Sequence, residues 1–552
     1  MSKQEDELRR IAKETFGWDR LRGEQLRAMR ALVAGQDVLV VLPTGAGKSA
    51  IYQVPALELD GPTLVVSPLI ALQQDQLRGI ADSDAPEAVA VNSAQGGGQQ
   101  RRAWQAVRQG NAEYLFLSPE QLAKEEVIEE LAEMGVALFV VDEAHCVSAW
   151  GHDFRPDYLR LGAVIERLGH PRVLALTATA GLPVRRDIVS RLGMREPEQV
   201  VASFDRPNLR LVVERLPGDE EKRQAVLSRV TALTSDPATR PGLVYVGARK
   251  DTEYYADQLA AAGVRVAAYH AGMKAAQRKR VHAEFLDGQL DVVVATSAFG
   301  MGIDKPDVRF VLHASVPESL DSYYQQVGRA GRDERPAEVS LFYRPEDLAL
   351  QKFLTASGAP EDALGEVVGA MREHGEPLRP TELKDRIEAS GVKRTRAVNL
   401  LEQAEVLSGT ADGRLCLVDP ELPPPDAVSR ALEVAEAHQR LIRSRIEMIR
   451  EYAETTRCRR QFLLGYFGER LTEPCGNCDT CAAGTATALP EANREFPLNS
   501  TVRHVEWGRG VVMNAGDDRI TALFDEAGYK TLSLEANRAH RVLTLEGAGD
   551  AG

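Results

Sequence analysis

Between residue 37 and about residue 345, short apolar runs rich in β-branched residues alternate with longer segments of helical pattern. Near-continuous apolar strands separated by helices are typical of parallel sheets covered on both faces. The runs fall into two sets, first DVLVVL, PTLVVS, EYLFLS, ALFVVD and VLALTAT, then GLVYV, VRVAAYH, DVVVAT, FVLHA and EVSLFY. The pattern predicts the α/β fold class, with two lobes over 1–204 and 205–350 and a cleft between them.

Beyond about residue 360 the pattern becomes helical and the predicted modules become smaller. Three helical segments followed by a DG hairpin signal predict a winged-helix-like domain over 360–420. After the linker-like LPPPD, apolar residues at helical spacing lead into four crowded cysteines, which predicts a helical metal-binding module over 426–483. A flexible linker over 484–496 and a small β barrel over 497–546 complete the predicted order.

Composition and charge add few constraints. The N-terminus, MSKQEDELRR, lacks the apolar core of a signal peptide, and no apolar run is long enough to span a bilayer, so we expect a cytoplasmic location. The net charge of −14 argues weakly against nucleic-acid binding, because phosphate contacts need Lys and Arg. A local basic groove can coexist with an acidic exterior, so we expect any such binding to be localised and salt-sensitive.

A candidate phosphate site lies at LPTGAGKS, residues 42–49, between an apolar strand and a helical stretch. In this context a P-loop wraps phosphates with backbone N–H groups, while Lys48 reaches the β- and γ-oxygens and Ser49 binds Mg²⁺. Leu42 replaces the first glycine of the general pattern, but the strand-to-helix context disfavours a chance Gly-rich turn. The nucleotide-contacting residues would be Thr44, Gly45, Ala46, Gly47, Lys48 and Ser49.

The acids that would complete the site lie in LFVVDEAH, where an apolar strand ends at Asp142. Asp142 would hold Mg²⁺, and Glu143 would orient the attacking water as a general base. A solvated acidic helix start is the alternative for DEAH alone. Because both halves of the site fall at strand ends, the pair predicts nucleoside-triphosphate hydrolysis.

Eight stretches, in order and spacing, resemble the RecQ-type DNA helicases of superfamily 2. They are FGWDRLRGEQ, LPTGAGKS, VVSPLIALQQDQ, DEAHCVSAWGHDFRPDY, LALTATA, AYHAG, ATSAFGMGIDKPDVRFVLH and YYQQVGRAGRD. The resemblance implies two RecA-like P-loop lobes and an ATP-dependent, 3′-to-5′ motor acting on single-stranded and partly duplex DNA. It also implies a role in DNA repair or recombination at the bacterial nucleoid, with ATP, Mg²⁺ and Zn²⁺ as cofactors.

On the first lobe, the resemblance assigns the adenine to three residues ahead of the P-loop. Arg22 and Gln25 would read the edge of the base, and Trp18 would stack on its face. From the residues alone, a buried aromatic is an equally good interpretation of Trp18.

On the second lobe, the resemblance assigns nucleotide contacts to two motifs. Gln325, Arg329 and Arg332 form a QxxGRxxR pattern, in which both arginines would reach the γ-phosphate and Arg332 would be the arginine finger. Gly302 and Asp304 in GMGID would link nucleotide and nucleic acid. Catalytic groups on both lobes imply that hydrolysis requires closure of the cleft.

The loop after DEAH carries four candidate DNA-binding residues, Trp150, Phe154, Arg155 and Tyr158. Bases of single strands stack on aromatic rings and guanidinium planes, at about 1–3 kcal/mol per base. The resemblance implies that this loop couples DNA binding to ATP hydrolysis. The alternative for Trp150 and Phe154 is a core at the lobe interface.

The predicted metal ligands are Cys458, Cys475, Cys478 and Cys481, whose spacing suits a closed tetrahedral zinc site. An iron–sulfur cluster and redox thiols remain alternatives. CRRxxLLxYFGE followed by PCGNCDxC also resembles the zinc module of RecQ proteins. The segment 438–461 holds seven Arg against three Glu, which fits a phosphate-tracking face and a solvated helix equally well.

The C-terminal half departs from the familiar RecQ order. The winged-helix-like segment precedes the cysteines, as in a bacterial subgroup, and its hairpin lacks an aromatic wedge. The tail over 502–534 resembles the Tudor-like barrel of UvrD/PcrA-type helicases, which implies protein contacts such as RNA polymerase. Two alternatives to a helicase stay open, a DNA-stimulated ATPase that remodels protein–DNA complexes and an adaptor acting through the barrel.

Overall fold

The structure is a computed structural model, and it describes most of the chain. The described residues are 3–68, 70–92, 95–148, 155–300, 305–348, 358–410, 414–489, 493, 495–516 and 518–546.

The first lobe is a parallel sheet of seven strands in the order β3-β4-β2-β5-β6-β1-β7. Its strands are β1 Val38–Val41, β2 Thr63–Val66, β3 Glu87–Val91, β4 Ala112–Leu117, β5 Leu138–Val141, β6 Arg172–Thr177 and β7 Glu198–Val201. Its helices are α1 Lys3–Phe16, α2 Gly23–Val33, α3 Ala50–Ala56, α4 Ile70–Ala81, α5 Gly97–Arg108, α6 Glu125–Met134, α7 Leu161–Arg167 and α8 Leu182–Arg191.

The second lobe is a parallel sheet of six strands in the order β10-β11-β9-β12-β13-β8. Its strands are β8 Leu209–Arg215, β9 Gly242–Tyr245, β10 Val266–Tyr269, β11 Val292–Ala295, β12 Phe310–His313 and β13 Ala337–Tyr343. Its helices are α9 Asp219–Ser235, α10 Arg249–Ala261, α11 Ala275–Leu286 and α12 Leu320–Val327.

The central strands explain why the apolar pattern predicted this fold. β1, β2, β5, β9, β11 and β12 are buried at every residue, as strands covered by helices on both faces must be. The prediction of two parallel α/β lobes is confirmed. Three strands outside the predicted sets, β3, β7 and β8, lie at sheet edges, where exposed positions interrupt the apolar run.

A small helical unit follows the lobes, with helices α13 Glu361–His374 and α14 Gly391–Gln403 joined through a 3₁₀ turn at Glu382–Asp385. Strands β14 Leu407–Gly409 and β15 Leu415–Leu417 then pair antiparallel. The DG dipeptide of the predicted hairpin lies outside the described residues. Helix, turn, helix and hairpin occur in the order that the winged-helix prediction required.

The metal-binding segment begins with the longest helix in the described chain, α15 Pro424–Glu454, followed by α16 Arg459–Tyr466 and α17 Asp479–Ala482. The prediction that LPPPD is a linker was therefore partly wrong. Prolines lack the N–H group that a first helical turn leaves unbonded, so Pro424 and Pro425 start α15 without loss. None of the helices in the described ranges combines the length and apolarity needed to cross a membrane.

The C-terminal unit is an antiparallel sheet in the order β19-β18-β17-β16-β20. It comprises β16 Thr501–His504, β17 Gly508–Ala515, β18 Arg519–Phe524, β19 Gly528–Ser533, α18 Leu534–His540 and β20 Leu543–Leu545. Phe496, at the end of the predicted linker, is buried in its core. Tyr529 of β19 stacks on Tyr466 of α16, with 5.1 Å between ring centroids, so the sheet is docked on the metal-binding segment.

Candidate nucleotide cleft and metal centre

The glycine loop begins where β1 ends and runs into α3. Gly45 and Gly47 have φ angles of +82° and +70°, a region that residues with a Cβ seldom adopt. Lys48 Nζ lies 3.2 Å from the main-chain oxygen of Leu42, inside the turn of the loop. Burial lowers the pKa of Lys48, and the nearby carboxylates of Glu143 and Asp142 oppose this shift. The loop has the geometry that the P-loop prediction required.

Gln25 connects helix α2 to the glycine loop. Its Nε2 donates to the main-chain oxygens of Ala46 at 3.1 Å and Gly47 at 2.9 Å, and its Oε1 accepts from Arg22 N at 2.7 Å. Both ends of the amide are therefore engaged within the chain. The structure assigns Gln25 a loop-bracing contact beside the adenine contact that the resemblance implied.

Trp18 and Arg22 lie at the mouth of the cleft. The half-buried Trp18 ring stacks on Phe16, with 4.7 Å between centroids and 15° between planes. Arg22 is exposed, and its Nη2 lies 3.9 Å from Glu334 Oε1 on the second lobe. Arg22 is linked to the glycine loop through Gln25, and Trp18 packs against a cluster that includes Ala50, just after the loop.

The acid pair follows directly from the buried strand β5. Asp142 N donates to Val66 O at 2.9 Å, which continues the β2–β5 ladder by one residue. Glu143 turns into the left-handed region, with φ +50°, and its N–H donates to Asp142 Oδ1 at 3.0 Å. Burial, with Glu143 adding to it, raises the pKa of Asp142 to about 7, and Lys48 opposes the shift. A cation would favour the charged form of this carboxyl.

Two residues beyond the predicted set, His145 and Thr177, lie beside Glu143. His145 Nδ1 lies 3.3 Å from Glu143 Oε2 and 3.0 Å from the hydroxyl of Thr177 at the end of β6. Both residues fall in motifs that the sequence analysis quoted, DEAH and LALTATA. Their pairing depends on two strand ends being adjacent in the sheet, which spacing along the chain does not reveal.

The loop after the acids is only partly described, because Trp150 and Phe154 lie outside the described residues. The prediction that Tyr158 stacks on bases was wrong, since its ring is completely buried in the core of the first lobe. Its hydroxyl donates to the main-chain oxygen of Asp142 at 3.2 Å. Arg155 Nη1 donates to Pro68 O at 3.2 Å. The end of this loop is therefore tied to the strand that carries the acids.

The second lobe brings its arginine segment onto the glycine loop. A Cβ placed on Gly45 would lie 2.8 Å from Cδ of Arg332, and one placed on Gly328 would lie 3.6 Å from Oγ1 of Thr44. The cleft is therefore closed in this structure. Arg329 is 4% exposed beneath the segment, and Gln325 is half-buried on α12.

Two further predicted nucleotide contacts, Gly302 and Asp304, lie outside the described residues. Ser49, the predicted Mg²⁺ ligand of the loop, is half-buried at the start of α3. Among the described residues, the structure thus brings together Lys48, Asp142, Glu143 and Arg332.

The four cysteines converge in the metal-binding segment, with their Sγ atoms all within 4.8 Å of one another. The Sγ atoms of Cys475 and Cys481 are 3.9 Å apart, and those of Cys478 and Cys458 are 4.0 Å apart. These separations exclude disulfides, and they match the roughly 3.8 Å that four Zn–S bonds of about 2.3 Å impose in a tetrahedron. The residues present fit a single zinc ion.

Three of the seven arginines in 438–461 are buried, and the other four, Arg440, Arg443, Arg450 and Arg457, are exposed. Arg459 and Arg460 are 4% and 6% exposed, and Arg445 is 8% exposed. Arg459 Nε lies 3.0 Å from Asp479 Oδ1, while Arg440 Nε donates to Glu526 O in the C-terminal sheet at 2.9 Å. Arg445, Arg459 and Arg460 are thus packed within the chain and are not available to a phosphate-tracking face.

Comparison with known families divides the chain in the same way. Residues 22–188 match the DEAD/DEAH box helicase family, 223–334 match the helicase conserved C-terminal domain, and 426–482 match the RecQ zinc-binding family.

Curated relatives align over most of the chain. The ATP-dependent DNA helicase RecQ of Haemophilus influenzae is 36% identical over 473 residues, which cover 85% of this chain and 63% of that protein. The probable ATP-dependent DNA helicase RecS of Bacillus subtilis is 34% identical over 472 residues, which cover 85% of this chain and 90% of that protein. The chain thus spans less than two thirds of the first relative and nearly all of the second.

Among solved structures, the Mycobacterium smegmatis helicase Lhr bound to single-stranded DNA and AMP-PNP is similar with a TM-score of 0.50 and 22% identity. The alignment covers 80% of this chain and 62% of Lhr. This likeness concerns the fold alone.

Proposed function

The chain belongs to the family of RecQ helicases, and from that premise we propose that it is an ATP-dependent DNA helicase that moves 3′ to 5′ on single strands and unwinds duplex DNA. ATP with Mg²⁺ would occupy the cleft between the glycine loop and the arginine segment. A role in DNA repair or recombination at the bacterial nucleoid, in the cytoplasm, follows from the same family resemblance.

The proposed chemistry divides between the two lobes. Lys48 and the backbone of the glycine loop would bind the phosphates, and Ser49 and Asp142 would hold Mg²⁺, which neutralises phosphate charge. Glu143, oriented by His145, would accept the proton of the attacking water. Arg329 and Arg332 would stabilise the charge on the transferred phosphoryl group.

The contact of Arg332 with Gly45 is the observation that carries the proposal. An arginine supplied from one lobe to a phosphate loop on the other makes hydrolysis depend on closure of the cleft. A motor needs this dependence, because each closure moves one lobe relative to the other along a bound strand.

Coupling to DNA is proposed for the loop that ends at Tyr158. The bond from its hydroxyl to Asp142 O gives the loop a direct contact with the catalytic strand. Trp150, Phe154 and Arg155 remain the proposed strand contacts, and Tyr158 would transmit a movement of the loop to the acids. Trp150→Ala is expected to keep ATP binding and lose DNA stimulation of hydrolysis.

Strand displacement tests the whole proposal. Duplexes with a 3′ or a 5′ single-stranded tail would be incubated with ATP and Mg²⁺, using the wild type and Glu143→Gln. Displacement from the 3′-tailed duplex only, lost in the variant, is the expected result. Displacement from the 5′ tail alone would refute the polarity, and equal stimulation of ATP hydrolysis by RNA and DNA would refute the substrate class.

We also propose that the four cysteines bind one structural Zn²⁺. A closed set of four thiolates leaves no open coordination position for catalysis. Metal analysis of the purified protein is expected to give one zinc and no iron per chain.

A remodelling ATPase without strong unwinding is the second candidate, and the position of the hairpin favours it. Arg160 of the first lobe lies 2.8 Å from Glu402 of α14, and a Cβ on Gly409 of β14 would be 3.7 Å from the same guanidinium. A hairpin held against the lobe is poorly placed to separate strands. Strong DNA-stimulated hydrolysis without strand displacement would select this candidate.

The C-terminal sheet is proposed to contact a protein, with RNA polymerase as the partner that the UvrD/PcrA resemblance implies. β19 packs on α15, so a partner would use the other end of the sheet, where Val505 follows β16 and is 74% exposed. Binding of purified RNA polymerase, weakened by Val505→Asp, is the expected result. An adaptor would keep this binding after Glu143→Gln has abolished hydrolysis.

A further inference from the structure

The cysteine motif contains charged and aromatic residues that zinc ligation does not use. Arg460 lies two residues after Cys458, and Phe467 and Glu469 follow within the same motif. All three contact the interlobe connector, residues 202–208, which joins β7 of the first lobe to β8 of the second. We propose that this module is a clamp on the interlobe connector, and that Glu469 and Arg460 are positioning residues for Arg332. The inference rests on the proposed function.

Arg460 holds the half of the connector that leads into the second lobe. Its Nη2 donates to the main-chain oxygens of Arg206 at 3.2 Å, Pro207 at 3.1 Å and Leu209 at 2.9 Å. Its Nε lies 3.3 Å from Asp205 Oδ1. Because one buried guanidinium binds three main-chain oxygens within four residues and an adjacent acid, the path of the connector is fixed at this point.

The loop between the cysteines attaches the module to the edge of the second sheet. Leu211 N lies 3.4 Å from Asn477 O, and Val213 N donates to Asp479 Oδ2 at 3.1 Å. Asn477 and Asp479 lie on either side of the predicted ligand Cys478. The module therefore moves with the second lobe.

Glu469 makes the contact on the first-lobe side of the connector. Its carboxylate accepts from Ser203 Oγ and from Phe204 N, both at 2.8 Å. The Phe467 ring stacks on Phe204, with 4.5 Å between centroids and 11° between planes. Arg185 of α8 in the first lobe also interacts with Glu469, which opposes the lowering of the arginine pKa by burial. Glu469 thus joins a module carried by the second lobe to the end of the first.

The connector in turn holds the arginine segment. Arg206 Nη2 donates to the main-chain oxygens of Ala330 and Gly331, both at 2.9 Å, and Asn208 Nδ2 donates to Gly331 O at 2.9 Å. Gly331 immediately precedes Arg332. A continuous set of hydrogen bonds therefore runs from Arg460 through the connector to the residue beside the proposed arginine finger.

Helix α12, which leads into the arginine segment, is held by the same module. The hydroxyl of Tyr466 donates to Asp321 in the first turn of α12. Tyr324 packs against Phe467 at 4.8 Å, and its hydroxyl donates to Phe204 O at 2.9 Å. In this structure the clamp is formed and the cleft is closed, so the clamp stabilises the closed arrangement.

The decisive variant is Glu469→Ala, and the matched control is Glu473→Ala, an exposed glutamate of the same module. Non-natural amino acids at the exposed positions Glu58 and Asp257 would carry a spin label on each lobe of the full-length protein. With a non-hydrolysable ATP analogue and single-stranded DNA, a single short interlobe distance is expected for the wild type and the control. Glu469→Ala is expected to broaden the distribution towards longer distances.

Kinetics supply the second measurement. Glu469→Ala is expected to lower the kcat of DNA-stimulated hydrolysis about tenfold and to change KM for ATP less than twofold, with zinc content unchanged. Ser203 lies outside the module and donates one of the two hydrogen bonds that the Glu469 carboxylate accepts. Ser203→Ala removes that bond and is expected to lower kcat about threefold. If Glu469→Ala loses zinc, the Ser203→Ala result alone decides.

Unchanged distances and unchanged kcat in both variants would overturn the clamp. The distance measurement needs binding but no turnover. A wild type that fails to hydrolyse ATP with DNA would therefore refute the proposed function and leave the clamp separately measurable.

Discussion

Two pairs of arginines lie near the boundary between the lobes, and the chain uses them in opposite ways. Arg332, in the pair that follows α12, crosses the cleft and lies against Gly45 of the other lobe. Arg459 and Arg460, beside the first cysteine, are buried against Asp479, Asp205 and backbone oxygens. Both pairs are short motifs that look alike in the sequence. The place of each pair in the tertiary structure, in the cleft or beneath the metal-binding segment, decides which of them lies beside the phosphate loop.

The same contrast explains why a run of arginines is weak evidence for nucleic-acid binding. A guanidinium that is satisfied inside the protein would leave buried acceptors unpaired if it turned outward to a phosphate. In the metal-binding segment this cost keeps Arg459 and Arg460 internal. In the cleft, the arginine segment lies beside a loop built to receive an anion.

Removing a cysteine tests the metal-binding region of this comparison with the largest expected effect. Cys478 is 2% exposed at the centre of the cluster. Cys478→Ala is expected to abolish zinc binding and, because the apparent free energy of structural zinc is about 10 kcal/mol or more, to unfold the module. Metal analysis and thermal unfolding measure this, with Cys416→Ala as the control. Full zinc content in Cys478→Ala would contradict the assigned ligand set.

Removing the arginine finger tests the cleft. Arg332→Ala is expected to lower DNA-stimulated ATP hydrolysis about a thousandfold, or about 4 kcal/mol, because transition-state charge loses its partner. Zinc content and melting temperature should not change. Arg335→Ala, an exposed arginine three residues on, is the control. Equal hydrolysis by Arg332→Ala and wild type would show that the cleft arginine is structural.

Removing Arg460 should have the reverse effect of removing Arg332, with a loss of stability and with nucleotide binding retained. Arg460→Ala removes the ion-pair partner of Asp205 and one of the two donors to each of three main-chain oxygens, so we expect a loss of about 3 kcal/mol in the free energy of unfolding. Binding of an ATP analogue to the glycine loop of the full-length protein should persist at low denaturant, where the variant is still folded. Denaturant unfolding measures the loss, and the exposed Arg457 supplies the control Arg457→Ala. A stability change below about 0.5 kcal/mol would put Arg460 in the class of surface residues.

The smallest effect concerns the support beneath the arginine segment. His313, at the end of β12, bonds Gln326 of α12 at 2.8 Å, and burial lowers its pKa to about 4. The unfolded chain binds this proton below about pH 6.5, so stability should fall as the pH decreases from about 6.5 to 4. The loss is expected to reach at most about 3 kcal/mol.

The measurement for His313 is the midpoint of urea unfolding as a function of pH. His313→Gln should flatten the curve between pH 6.5 and 4 relative to the wild type. His540, an exposed histidine at the end of α18, provides the control His540→Gln. A wild-type curve that is already flat in this range would contradict the buried, neutral state of His313.

Residues that act through their neighbours in the chain were predictable. The glycine loop binds phosphate with consecutive N–H groups, the acids follow the end of one strand, and three of the four cysteines fall within seven residues. The alternation of buried strands and helices likewise predicted two parallel sheets, because burial on both faces requires apolar residues at every position.

Residues that act through distant partners were decided by the tertiary structure. Tyr158 resembled a stacking ring but is buried against Asp142, and Arg460 resembled a phosphate ligand but binds a connector some 250 residues earlier in the chain. The hydrogen-bond partner of a buried polar group depends on which elements pack together, and local spacing carries no record of that packing. For this reason the sequence alone predicts two α/β lobes with a phosphate loop, whereas only the tertiary structure reveals the contacts of Glu469 and Arg460 with the connector between those lobes.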